Sequence, residues 1–280
     1  MFMRIALTSG IVTLTALSAP VQAADLDDII YAPELPVTQP VEIGTGWYLR
    51  GDLGYSTKTR GVATDYSIFS AGPPATYTGA TFTGSSLDGD WSGSFGAGYN
   101  FTDYLRADVT FDYSRGRFAG STSSTGSCTG LAAGQCASAE SQDFEQYGFM
   151  ANAYVDLGTV NGFTPYVGAG AGVTRVLWEP ANSDQSCISA VGNICTGTAT
   201  DRTYPGSDTW RFTYALMAGA SYDLTKDLKI DLGYKYSKIR SGDQYGFDAT
   251  SAAAGATGIK VSDNGFEKHE IRVGLRYSIW

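Results

Sequence analysis

Charged side chains recur at every second position in several stretches of the chain. Residues two apart in a β-strand point to the same face, so this spacing would gather the charges on one side of a sheet. Charges of both signs on a buried face are expected to pair, because an unpaired buried charge costs several kcal/mol. The predicted charge network comprises Arg50, Asp52, Arg106, Asp108, Asp112, Asp156, Arg211, Lys229, Asp231, Lys235, Arg272 and Arg276, with Asp223 as a further acidic member.

A second candidate for chemistry is His269, the single histidine, which follows Glu267 by two residues. Such a pair could serve a surface hydrolase, but no serine nucleophile adjoins it, so a structural position near a strand end is favoured. One histidine leaves no His pair for a metal site. We therefore predict no catalytic residue, no metal and no cofactor, and keep a lipid-modifying enzyme as the third functional alternative.

The first segment predicts export. Met1–Arg4 carries one positive charge, 5–17 is apolar or small, and Val21-Gln22-Ala23 fits a cleavage site, so residues 1–23 are predicted to be a signal peptide. The apolar run is too short for a membrane helix, and the mature chain has no other run of that length. If the mature chain spans a membrane, it must therefore use strands.

Eight segments of the mature chain alternate with period two, which is typical of strands. The chain also holds 35 glycines, 18 tyrosines and 13 phenylalanines, a composition that suggests a sheet closing on itself. The predicted strands are Trp47–Ser56, Trp91–Phe101, Tyr104–Phe118, Gln142–Leu157, Phe163–Trp178, Asp208–Leu224, Leu228–Ser237 and Glu267–Trp280.

The connections alternate in length. Three are short (102–103, 158–162 and 225–227), and the four others, 57–89, 119–141, 179–207 and 244–266, are long. Short turns on one side and long loops on the other are typical of outer-membrane barrels. The predicted fold is therefore all-β: residues 47–280 form an eight-stranded antiparallel transmembrane up-and-down barrel, with short periplasmic turns and four long extracellular loops.

Aromatic residues near the strand ends fit the two membrane–water interfaces. Trp47, Tyr104 and Tyr222 are assigned to the short-turn side, and Trp178 and Trp210 to the long-loop side. The alternative is that they are core residues of a soluble β protein.

The predicted lumen leaves two functions open. Eight strands enclose a space just wide enough for side chains to fill, which favours a filled, structural interior. A narrow pore for small solutes is the alternative, although the mixture of signs argues against strong ion selectivity. Nucleic-acid binding is excluded, because 19 basic residues face 28 acidic ones, the net charge is −9 and no basic run occurs.

Cysteines occur as two pairs, Cys128 with Cys136 and Cys187 with Cys195, each eight residues apart in one predicted loop. An exported chain meets an oxidising compartment, so disulfides are expected. Four cysteines allow three connectivities; the two local bonds are favoured because each pair shares a loop. Structural zinc prefers closer spacing.

The segment Gly46-Trp47-Tyr48-Leu49-Arg50-Gly51-Asp52-Leu53-Gly54-Tyr55 and the closing Arg272–Tyr277 resemble the small eight-stranded outer-membrane proteins and surface antigens of alphaproteobacteria, within the OmpA-like barrel superfamily. The resemblance implies a protein of the bacterial outer membrane that supports envelope integrity, contacts lipid and lipopolysaccharide, and faces the host; some relatives are called porins. It also implies a C-terminal signal for the barrel-assembly machinery, here among Tyr277, Ile279 and Trp280.

Residues 24–46 form an acidic leader with three prolines and no basic residue. One interpretation is a disordered periplasmic tail. The other is implied by the resemblance, since some relatives are thought to be joined to peptidoglycan through a mature Ala-Asp start. Ala24 and Asp25 match that start, and the free amine of Ala24 would be the acceptor.

Overall fold

The computed structural model describes residues 46–60, 63, 65–88, 91–124, 131–133, 135–188, 196–197 and 199–279. The predicted signal peptide, the predicted leader up to residue 45, Cys128, Cys195 and Trp280 lie outside the described residues. No helix within these ranges is long and apolar enough to cross a membrane. The elements are β1 (Gly46–Arg60), β2 (Asp65–Ser70), β3 (Thr76–Thr81), β4 (Gly84–Leu87), β5 (Trp91–Asn100), β6 (Leu105–Ser124), β7 (Leu131–Ala133), β8 (Gln135–Asp156), β9 (Phe163–Trp178), β10 (Ala181–Ile188), β11 (Thr196–Gly197), β12 (Arg202–Tyr204), β13 (Asp208–Asp223), β14 (Leu228–Ile239), β15 (Gly242–Gly246), α1 (Ala249–Ala253), β16 (Ile259–Asp263) and β17 (Phe266–Ser278).

Eight of these strands close into a ring. Going round it, the order is β1, β5, β6, β8, β9, β13, β14 and β17, and every neighbouring pair is antiparallel. The ring closes between the first and last strands, where Tyr48 is in register with Ser278 and Tyr55 with Ile271. The predicted eight-stranded up-and-down barrel is thus confirmed.

The outer face of the ring is apolar. Leu53 and Phe95 are 67% and 66% exposed, and Val109, Leu216 and Leu232 are also exposed on this face. On the same strands, the alternate positions are buried and mostly polar. This is the reverse of a soluble protein and the arrangement expected for a barrel surrounded by lipid.

Two of the short turns use the same device. Thr102 accepts hydrogen bonds at its Oγ1 from the backbone N–H groups of Tyr104 and Leu105, at 3.2 and 3.0 Å. Thr225 does the same for Asp227 and Leu228, at 3.3 and 3.0 Å. A threonine three residues before the next strand therefore satisfies the amides that begin it. Tyr104 lies in the turn, and the strand begins one residue later than predicted.

Several strands continue well beyond the apolar belt. The β6–β8 ladder runs without a break from Leu105↔Val155 to Ser124↔Cys136, whereas the sequence predicted ends at Phe118 and Gln142. Beyond these points the residues are mostly Ser, Thr, Gly and Ala, so hydrophobic alternation stops while backbone pairing continues. In these strands, periodicity indicated the lipid-facing part and not the full length.

The described parts of the four long connections form a folded surface layer, which we call the cap. Its main element is a four-stranded sheet in the order β15, β16, β2, β3. It also includes β10, β12 and α1, with β10 paired to the extended end of β8. A small apolar core holds it together, made of Ala63, Ala181, Tyr204, Tyr245 and Val261.

Candidate functional site

The lumen is the first candidate site, and one charged level within it surrounds Arg106. This side chain is 1% exposed, and its Nε lies 3.2 Å from Asp156 Oδ1. Its guanidinium carbon lies 4.0 Å from the ring centroid of Tyr154 and 4.9 Å from that of Tyr166. Two aromatic faces and one carboxylate therefore surround the cation, an arrangement that stabilises charge away from water.

A second level is centred on Arg50. Its guanidinium donates to Asp52 Oδ1 at 2.7 Å, Asp108 Oδ2 at 2.8 Å and Tyr154 Oη at 2.8 Å. Asp108 also accepts from Tyr48 Oη at 3.0 Å and from Asn152 at 2.7 Å. Three strands are cross-linked through one carboxylate, and these hydrogen bonds offset the cost of burying its charge.

A third level joins Asp112 to two cations. Asp112 Oδ1 lies 3.1 Å from Lys235 Nζ and 2.8 Å from Arg272 Nη2. Arg272 also contacts Glu270 at 3.3 Å, and Glu270 accepts from Ser92 at 2.6 Å.

The remaining predicted charges pair with one another. Arg276 lies 3.3 Å from Asp231, and Lys229 lies 2.5 Å from Asp223. The structure thus brings together every predicted lumen charge except Arg211, whose partner comes from the cap. Glu270 and the buried Lys268 belong to the same face and were missed, although both share the parity of Arg272 and Arg276 along β17.

Arg211 connects the barrel wall to the cap. Its Nη1 lies 2.7 Å from both carboxylate oxygens of Asp263 on β16, and Nη2 donates to the Asp243 carbonyl oxygen at 2.9 Å. Asp263 falls in a stretch that the sequence assigned to a loop, so this pair could not be foreseen from strand alternation.

Beside this pair, an apolar cluster fills the lumen at the level of the cap. It consists of Phe118, Phe144, Val176, Trp178, Ile239 and Phe266. The prediction that Trp178 belongs to the outer aromatic girdle was wrong: the side chain is 6% exposed and packs against Phe144, with ring centroids 4.7 Å apart. Its even position in β9 matches the inward residues Thr174 and Val176, a signal already present in the sequence.

Little empty space remains inside the barrel. One cavity of about 40 Å³ lies beside Asp112, Gln146 and Lys268. Another of about 20 Å³ lies beside Arg50, Tyr166 and Asp231. Each has room for no more than a few water molecules.

Inward glycines make room for the large side chains of the lumen. A Cβ added at Gly168 would lie 2.5 Å from Tyr154 Cδ1, and one at Gly98 would lie 2.3 Å from Tyr48 Cζ. The Gly168-Ala-Gly-Ala-Gly172 segment therefore faces bulky neighbours on β8, within strand β9.

His269 lies on the outer face of β17. Its Nδ1 is hydrogen-bonded to Tyr234 Oη, and its ring centroid lies 5.3 Å from that of Tyr236. The Glu267 carboxylate instead contacts Lys238 Nζ at 2.7 Å. The two residues that could have formed an acid–base pair are therefore each engaged with a different neighbour.

The described residues include two of the four cysteines and, at the C-terminus, Tyr277 and Ile279. Cys136 and Cys187 face each other in register on β8 and β10, and neither is a free cysteine. Their pairing stays a prediction, because Cys128 and Cys195 lie outside the described residues. At the C-terminus, Tyr277 is exposed on the outer face, and Ile279 donates its backbone N–H to the Trp47 carbonyl oxygen at 2.9 Å.

The cap holds a buried carboxylate of its own. Glu140 Oε1 accepts from Ser138 at 3.1 Å and from Ser183 at 2.9 Å. Burial raises the pKa of the Glu140 carboxyl, against the opposing effect of these two hydroxyl groups. Nearby, Lys260 Nζ lies over the Tyr204 ring at 4.2 Å, and burial lowers the pKa of this ammonium group.

Comparisons with known proteins agree with this architecture. A family described as outer membrane protein beta-barrel domain matches residues 9–278. An uncharacterized protein of Brucella suis is 38% identical over 283 residues, covering 95% of this chain and 96% of its own length. A putative adhesin of Rickettsia bellii is 23% identical over 189 residues, covering 68% of this chain and 75% of its own.

Two solved structures are similar at lower identity. Neisserial surface protein A covers 84% of this chain and 97% of its own, with 19% identity and a TM-score of 0.41. The outer membrane protein OprG from Pseudomonas aeruginosa covers 83% and 95%, with 14% identity and a TM-score of 0.41. With the family match over most of the chain and the closed eight-stranded ring, the chain belongs to the outer membrane protein beta-barrel domain family.

Proposed function

We propose that this outer-membrane barrel is a non-catalytic surface protein that supports envelope integrity and makes cell-surface contacts. The observation that carries the proposal is the filled lumen: charged residues bridge it at several levels, and an apolar cluster fills it beside the cap. A solute crossing this barrel would have to displace both. The cap, in contrast, presents a folded surface to the outside, and contact is the role that this surface supports.

Conductance of the refolded mature barrel in planar bilayers tests this proposal. A silent membrane is expected from protein shown to be folded by its β-sheet circular dichroism and by heat-modifiable gel mobility. Reproducible open steps would instead make the protein a narrow porin and overturn the structural role. The variant with all four cysteines changed to serine serves as the control: steps that appear only without cysteines would assign the closure to the cap.

We also propose that lipid contacts involve the rim of the barrel below the cap. Ion pairs lie at the outer ends of the strands: the exposed pair Arg117 with Asp143 at 2.6 Å, and the half-buried pair Lys238 with Glu267 at 2.7 Å. On the same two strands as Arg117 and Asp143, Tyr113 and Tyr147 both donate to Glu145. Charged groups beside tyrosines suit the headgroup layer, where lipopolysaccharide phosphates would lie. Vesicles with and without lipopolysaccharide should therefore give different thermal stability.

Attachment to peptidoglycan through Ala24 is a separate proposal, supported by the Ala24-Asp25 start alone. A cell-wall transpeptidase would form an amide between the Ala24 amine and a stem-peptide carbonyl, releasing the terminal residue of that peptide. Muramidase-digested cell walls should yield an Ala24 peptide carrying a muropeptide mass. Recovery of only free Ala24 would overturn the tether and leave the disordered tail.

A further inference from the structure

Strand β3 is an edge strand of the cap sheet. Among the described residues it pairs only with β2, in continuous register from Asp65↔Thr81 to Ser70↔Thr76. Every residue of β3 is exposed except Ala80, which is half-buried. An edge strand presents backbone N–H and C=O groups that another strand can pair with.

This edge lacks the features by which proteins usually block such pairing. No charged residue occurs from Tyr66 to Leu87, β3 contains no proline, and no bulge interrupts its register with β2. The strands that end the larger sheet differ: β12 contains Arg202, and β4 has four residues and is followed by Asp88. Charges, bulges and short length are the common protections of edges, so β3 differs from both end strands of the larger sheet.

The edge is also held in a fixed position. The Tyr77 ring packs against Phe69 at 5.3 Å and Phe247 at 5.8 Å between centroids. The backbone N–H of Thr257 donates to Tyr77 Oη at 3.0 Å. A strand ordered before binding loses little conformational entropy when a partner pairs with it, which favours association.

Gly79 indicates what kind of side chain the partner would carry. It lies in the middle of β3 opposite Ser67, and no atom lies within 4 Å of the position a Cβ would take. An edge glycine leaves a gap that an aromatic ring on the neighbouring strand covers well. Along the rest of the edge, threonines favour β-branched neighbours.

We propose that β3 binds an extended segment of another polypeptide, which adds to the cap sheet as a fifth strand. The segment would be uncharged, because a charge laid along 66–87 would lose hydration and find no opposite charge in that span. It would carry β-branched residues and place an aromatic residue opposite Gly79. This inference rests on the proposed surface-contact role and names its partner class.

A peptide with the sequence of β2 is a suitable probe, since β2 is the strand that β3 already pairs with. A labelled 65–70 peptide, with Asn replacing Asp65, would be titrated by fluorescence anisotropy against the full barrel in nanodiscs. Saturable binding is expected, weakened about tenfold by Thr76→Lys with Thr78→Lys, which restores edge protection. Thr250→Lys with Ala253→Lys on α1 places two lysines elsewhere on the cap and should leave binding unchanged.

Backbone methylation gives an independent test of strand pairing. One peptide is N-methylated at positions 66, 68 and 70 and another at 67 and 69. Only one edge of an added strand faces β3, so one peptide should lose binding and the other keep it. Equal effects in both peptides, or binding indifferent to the β3 lysines, would overturn the proposal.

Self-association is measured on the same samples by analytical ultracentrifugation. Dimers lost with the β3 lysines would make a second copy the occupant and overturn the assignment to another polypeptide. Conductance reports on the lumen alone, so failure of peptide binding leaves the proposed closed barrel untouched.

Discussion

Arg211 on β13 and Asp263 on β16 form a buried ion pair that fastens the cap to the barrel wall. Both side chains are almost fully enclosed, with Nη1 2.7 Å from the carboxylate oxygens. The guanidinium carbon also lies 5.8 Å from the Phe266 ring centroid, at the edge of the apolar cluster. Arg211 therefore contacts both the cap and the apolar cluster that fills the lumen.

Removal of either charge from this pair should destabilise the protein strongly. Asp263→Ala leaves a buried guanidinium without its carboxylate, and a loss of about 3–5 kcal/mol is expected. Urea unfolding in detergent micelles measures it. The matched control is Asp143→Ala, whose partner Arg117 is 62% exposed; its cost should stay below about 1 kcal/mol. Similar losses of unfolding free energy in both variants would contradict the proposal that the buried Arg211–Asp263 pair stabilises the protein strongly.

Trp178→Ala tests the contribution of the apolar cluster to stability and to closure of the lumen. Truncating this buried ring removes its contacts with Phe144, Phe118 and Phe266 and should cost about 3–5 kcal/mol of unfolding free energy. Trp210→Ala is the control, because Trp210 is exposed on the outer face. Bilayer recordings of Trp178→Ala should stay silent, since the ion pairs of Arg50 and Asp112 still bridge the lumen. Open steps in this variant would identify the apolar cluster as the one barrier to conduction.

The sequence predicted the ring well because lipid imposes a simple rule. Each strand must show apolar residues outward, so the alternation from Trp47 to Tyr55, or from Ile271 to Tyr277, follows directly from the side-chain period of two. The inward charges followed from the same parity. Their individual partners, such as Asp112 with Lys235 across the lumen, depend on shear and side-chain length, which alternation does not specify.

The cap could not be predicted in this way. Its residues lie outside the lipid belt, so they need no apolar face, and the span 57–89 reads as polar loop although it contains three strands. Inward apolar residues were the other difficulty. Phe118, Phe144 and Trp178 occur where the expected lumen is polar, and for an aromatic at a strand end only the parity within the strand separates an inward position from an outer girdle.

The Glu140 carboxyl gives the cap a predictable dependence on pH. Because burial raises its pKa in the folded state, folding favours the protonated form. The resulting stabilisation of the folded state is fully present below the ordinary glutamate pKa, and it is lost as the pH rises through the raised pKa of Glu140. Glu140→Gln keeps a neutral group and should make the cap more stable at pH 7 than in the wild type. Protection factors of the amides in the β8–β10 ladder, measured by hydrogen exchange between about pH 4 and pH 7, the range of carboxyl titration, should depend less on pH in the variant.

If protection of the β8–β10 ladder depended equally on pH in the wild type and in Glu140→Gln, other groups would cause the dependence. Glu145→Gln is the control, since that half-buried carboxylate lies on the outer face, where it accepts from Tyr113 and Tyr147, outside the cap interior. It should leave the exchange of the β8–β10 ladder unchanged.

Two glycine-to-alanine substitutions in the barrel compare a crowded position with an open one. Gly168→Ala places a methyl group 2.5 Å from Tyr154 Cδ1 and 2.9 Å from the Ala153 carbonyl oxygen, so Tyr154, which contacts Arg50 and Arg106, must shift. A loss of about 1–3 kcal/mol is expected from overpacking. Gly93→Ala adds the same methyl group where no atom lies within 4 Å, and it should be neutral or slightly stabilising. The free energies of unfolding of the two variants are measured under the same conditions. If Gly168→Ala is as stable as Gly93→Ala, the lumen is loosely packed, and the case for a closed barrel weakens.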